Sequence, residues 1–74
     1  MTRLPLCSGS EAVAAFQRAG WLRDRQRGSH VTLTKTGVSV VLTVPLHAEI
    51  GPGLLRTLIR KAGLTVEEFV SLLA

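Results

Sequence analysis

The chain carries little that could build a covalent or metal framework. Cys7 is its only cysteine, so no intrachain disulfide can form and no cysteine-rich zinc site can be assembled. A free thiol in an unstapled chain fits a reducing compartment. Aromatic residues are scarce, with one Trp, two Phe and no Tyr, which limits recognition by base stacking. No apolar run approaches a membrane span; the longest, Val38 to Leu46, has the length of a strand. The opening segment Met1 to Leu6 is too short for a secretory core and is interrupted by Pro5. These shortages read as a soluble, cytoplasmic protein with no membrane contact. Acidic residues are also few, five against nine Lys and Arg, and the net charge is +4. That balance favours an anionic partner, either nucleic acid or an acidic protein surface.

What is present is enough for one small domain. The 74 residues are 46% apolar, ample for a core and too apolar for a disordered chain. Ser8-Gly9-Ser10-Glu11 fits a capping box opening a helix over about residues 9–19, with Gly20 suited to a left-handed helix end. Trp21 to Arg27 alternates, which predicts a strand with Trp21, Arg23, Arg25 and Arg27 on one face. Gly28-Ser29 makes a turn into a second strand, His30 to Thr34. Val31 and Leu33 then point inward while His30, Thr32 and Thr34 share the other face. Lys35-Thr36-Gly37 is a second tight turn, with Lys35 exposed at its tip, and Val38, Val40, Leu42 and Val44 form the apolar face of a third strand ended by Pro45.

Beyond a loop containing His47, Glu49 and Gly51, Pro52 suits the first turn of a helix. Its apolar stripe is Leu54, Leu55, Leu58, Ile59 and Ala62, and Gly63 ends it. Thr65-Val66-Glu67-Glu68 is a second capping box that opens a short terminal helix. The order is an α+β solution, α-β-β-β-α with a short extra C-terminal helix. It implies a three-stranded antiparallel sheet with helices on one face and the face bearing His30 left open.

The run Arg25-Gln26-Arg27-Gly28-Ser29-His30 concentrates the chemistry. Imidazole is the side chain suited to proton transfer near neutral pH, and guanidinium the one suited to gripping phosphate. From the residues alone, His30 is either a general acid or base or an exposed strand histidine. Arg23, Arg25 and Arg27 either bind phosphate or form a solvated strand face. Ser29 either hydrogen-bonds phosphate or serves the turn. His47 could complete an acid–base pair or be a loop residue. Arg56 could extend a phosphate surface from the second helix or belong to its solvated side. Trp21, directly after a helix-ending glycine, is expected in the core. Two histidines without a cysteine or carboxylate cluster do not make a zinc site, so no metal and no small-molecule cofactor are expected.

Several stretches in order resemble the HicA family of small toxins: Leu4-Pro5 with Ser8-Gly9, Ala19-Gly20-Trp21, Arg25 to His30, Val44-Pro45-Leu46-His47, Gly51 to Arg56, Ala62-Gly63-Leu64 and Glu67-Glu68-Phe69. The resemblance spans almost the whole chain and implies a single domain over residues 1–74 with a double-stranded-RNA-binding-domain-like fold. It implies an endoribonuclease that cleaves messenger RNA without a metal, as the toxin of a toxin–antitoxin pair. It implies His30, the histidine after Gly-Ser, as the catalytic residue, and a HicB-type antitoxin as the protein partner. A non-catalytic RNA-binding module using the basic strand face is the alternative, and a domain docking an acidic protein is a third.

Overall fold

The computed structural model describes residues 3–73; Met1 and Thr2, which begin the opening segment, and Ala74 lie outside the described residues. The elements are α1 (Gly9–Arg18), β1 (Leu22–Arg27), β2 (His30–Lys35), β3 (Val38–Pro45), α2 (Pro52–Lys61) and α3 (Val66–Leu73). The strands form an antiparallel sheet in the order β1-β2-β3. This is the double-stranded-RNA-binding-domain-like α+β arrangement expected above.

Both capping boxes form. The Ser8 hydroxyl accepts from the Glu11 amide at 3.1 Å, and the Glu11 carboxylate accepts from the Ser8 amide at 2.8 Å. Thr65 and Glu68 repeat this at the start of α3, at 3.1 and 2.8 Å. Each box satisfies amides that the first helical turn leaves without partners. At the other end of α1, Gly20 takes φ +100°. Lys35 is not simply exposed as its place in the turn suggested: it is part-buried, and its ammonium donates to the Ala19 carbonyl at 3.0 Å. A cation there complements the negative end of the helix.

Val31, Leu33, Leu42 and Val44 are completely buried on one sheet face. Phe16 and Ala12 of α1, Leu55, Leu58 and Ile59 of α2, and Phe69 of α3 complete the core with them. Trp21 is buried, as its position predicted. The Phe16 and Phe69 rings lie 5.1 Å apart and join α1 to α3. Full burial of each such side chain stabilises the fold by about 1.5–3 kcal/mol. Gly9 is needed where α1 meets the end of β3. A Cβ there would lie 2.0 Å from the Pro45 carbonyl oxygen, and the Gly9 amide donates to the His47 carbonyl at 2.9 Å.

Two apolar expectations are corrected. Val38 and Val40 remain 41% and 39% exposed. Between the pairs Leu33↔Leu42 and Lys35↔Val38 the register shifts, because β3 fits extra residues there. A strand carrying extra residues bends out of the ladder, so that end of β3 is not pressed on the core. Leu54 is also exposed, unlike Leu55, Leu58 and Ile59; it stands in the first turn of α2, at the margin of the buried stripe.

Candidate functional site

The face of β2 turned away from the helices carries His30 and Thr32. Directly opposed residues of antiparallel strands lie on the same face, with Cβ atoms about 4.5–5.5 Å apart. Arg27 stands opposite His30, and Arg25 opposite Thr32. On the other side Thr32 stands opposite Thr43 of β3. A shallow, open groove of about 360 Å³ results. Asp24, Arg25 and Arg27 form one bank, His30 and Thr32 the floor, and Val41 and Thr43 the other bank.

The turn that brings Arg27 beside His30 follows from its residues. Gly28 has φ +59° while Ser29 has no positive φ. Glycine first in a two-residue loop is the signature of a type II′ turn, whose twist matches that of the flanking strands. The Ser29 carbonyl accepts from the Leu46 amide at 2.6 Å, tying the turn to the chain leaving β3. Ser29 stands in the turn and is not part of the groove lining.

The alternation expected in β1 breaks at Asp24. Arg23 pairs with Leu33 and Arg25 with Thr32, so Asp24 is an extra residue in the strand. The bulge exchanges the faces beyond it. Trp21 and Arg23 stay on the helix side, while Arg25 and Arg27 turn to the side of His30. The sequence expectation that all three arginines share one face is thus corrected. The Arg23 guanidinium donates to the Gln26 side-chain oxygen at 2.7 Å, and the Gln26 amide nitrogen donates to the Gly28 carbonyl at 2.9 Å.

The remaining sequence candidates lie elsewhere. His47 is exposed in the loop after β3 and contributes no side chain to the groove; its carbonyl holds the start of α1. Arg56 is exposed on α2 and is likewise absent from the lining. Asp24, which strict alternation puts on the face opposite Arg23, Arg25 and Arg27, lines the groove instead. Its carboxylate lies 3.6 Å from the Arg25 Nε, with both side chains substantially exposed, so the pair adds little to stability.

Cys7 is buried, and burial, with a smaller contribution from the Glu11 carboxylate, pushes its thiol up from the ordinary value. The thiol therefore stays protonated near neutral pH and is a poor nucleophile. Among the described residues no helix is long and apolar enough to cross a membrane.

The fold is a small α+β domain that leaves one sheet face uncovered, with imidazole, guanidinium and hydroxyl groups lining one groove on it. The family model described as "HicA toxin of bacterial toxin-antitoxin" matches residues 9–64, from the first residue of α1 to just past α2. The chain belongs to the HicA toxin family. No curated protein matches it closely enough to count as a relative.

Proposed function

We propose that the chain acts as an endoribonuclease on messenger RNA, with His30 moving the proton and Arg25 and Arg27 holding phosphate. The observation that carries this is the register that sets Arg27 opposite His30, with Arg25 on the same open face. RNA brings its own nucleophile, the ribose 2′-hydroxyl. Cleavage forms the 2′-O–P bond and breaks the P–O5′ bond. One proton leaves the 2′-oxygen and one reaches the departing 5′-oxygen, giving a 2′,3′-cyclic phosphate and a free 5′-hydroxyl.

His30 acts as base toward the 2′-hydroxyl or as acid toward the leaving oxygen, and solvent supplies the other transfer. Positioned acid–base catalysis of this kind contributes about 10²–10⁴-fold. The guanidiniums offset the charge that develops on the phosphorane. Nothing in this sequence of bonds requires a metal. A HicB-type antitoxin that covers the groove would inhibit by excluding RNA from His30.

The test is purified protein on a defined single-stranded RNA in the presence of a chelator. Wild type is expected to leave cyclic-phosphate ends, and His30→Ala to lose cleavage by about 10²–10⁴-fold while keeping its circular dichroism and its RNA binding. Full cleavage by a folded His30→Ala protein sinks the assignment. Binding without cleavage by wild type supports the binding-module alternative.

A further inference from the structure

Asp24 has no role in the ladder. It is the residue that β1 carries in excess between the pairs Arg23↔Leu33 and Arg25↔Thr32. It is also the one carboxylate among the groove-lining residues, beside two arginines and a histidine. A carboxylate repels phosphate, so its place in a groove for a polyanion calls for something other than backbone binding. Its oxygen lies 3.6 Å from the Arg25 Nε, beyond hydrogen-bond range. That leaves both carboxylate oxygens open to accept, and the terminal nitrogens of Arg25 open to donate to phosphate.

We infer that Asp24 reads a base, accepting hydrogen bonds from the Watson–Crick edge of a guanine beside the phosphate held by Arg25 and Arg27. This rests on the RNA-directed reading of the groove. Single-stranded RNA offers its Watson–Crick edges to side chains. Guanine presents two neighbouring donors there, N1–H and the N2 amino group, which match the two oxygens of one carboxylate. Adenine, cytosine and uracil each set an acceptor beside their donor, which the carboxylate repels. The groove has no Phe, Tyr or Trp in its lining, and stacking on the His30 ring would not tell one base from another, so the base is selected by its edge. A well-formed two-point contact to a base discriminates by about 1–3 kcal/mol, or roughly 5- to 150-fold.

Binding tests this whether or not the protein cleaves. The His30→Ala protein, which keeps the RNA intact, is titrated with oligouridylates carrying one central guanosine, inosine or adenosine. The expected order is guanosine tightest, by about tenfold over adenosine, with inosine between because it lacks the N2 amino group. Adding Asp24→Asn or Asp24→Ala should bring all three within about twofold.

Equal binding of the three by the Asp24-bearing protein overturns the inference. So does a guanosine preference that survives Asp24→Ala, or a uniform loss across all oligonucleotides in the Asp24 variants, which would make the residue only a support for Arg25. A parallel set with 2′-deoxyguanosine separates the other donor. If removing that hydroxyl weakens binding as much as Asp24→Ala does, and Asp24→Ala then costs nothing further, the carboxylate takes the ribose and the inference falls. A guanosine preference in a protein whose wild type cleaves no RNA would keep the inference and end the catalytic reading.

Discussion

Val31 and Leu33 are completely buried, while Thr32 between them and His30 before them face the groove. The same strand thus takes part in two surfaces with opposite requirements. Around Val31 and Leu33 the helix side is apolar and closed by α1 and α2, with Phe69 of α3 completing the core. The open side holds hydroxyls, guanidiniums and an imidazole, and no helix crosses it. The groove-lining side chains are absent from the buried core, and Val31 and Leu33 are closed to any ligand. Stability and chemistry are therefore separable residue by residue along β2.

Substitutions can break this separation or sharpen it. The largest effect is expected for His30→Ala, where RNA cleavage falls by about 10²–10⁴-fold and the urea midpoint stays put. The mirror image is Leu33→Ala. A cavity at a fully buried leucine costs about 2–5 kcal/mol, read from urea unfolding, against roughly 4–11 kcal/mol available to a chain of this size. Under conditions where that variant is still folded, it should cleave RNA like wild type; lost cleavage in the folded variant would show the two faces to be coupled.

The smallest of these effects concerns the arginines, read from the salt dependence of RNA binding. Each phosphate contact on single-stranded RNA contributes about 0.7 to the slope of log affinity against log salt. Arg25→Ala and Arg27→Ala should each flatten the slope by about that amount, and Arg23→Ala should leave it unchanged. A flattened slope in Arg23→Ala would mean that RNA wraps the edge of β1 onto the helix side.

Much of the helical part was legible because its signals are local. A capping box needs only a hydroxyl and a carboxylate three residues apart, and both boxes formed where Ser8 with Glu11 and Thr65 with Glu68 predicted them. The inward facing of Val31 and Leu33 followed from strict alternation. What escaped were departures from alternation. An extra residue in β1 or β3 has no local signature, because it is settled by how the partner strand pairs. Strict alternation therefore puts Arg23 beside Arg25, Asp24 on the face opposite both, and Val38 and Val40 in the core. The convergence of His30 with Arg27 was left open for the same reason; it depended on the pairing across Gly28-Ser29, which no single strand contains.

The bulge has a consequence for which changes of length β1 can accept. Deleting Asp24 would return β1 to an unbroken ladder in which Trp21 and Arg23 keep the helix side and Arg25 and Arg27 keep the groove. Such a shortened protein should melt within a few degrees of the parent. Deleting Gln26 instead would leave Asp24 in place and push Arg25 out of phase with Thr32 or Arg27 out of phase with His30. In one strand, then, a single position is spare in the counting of residues, and it lies two residues from a position that is not. Loss of that residue would keep Arg25, Arg27 and the helix-side residues in phase and remove only the one carboxylate of the groove.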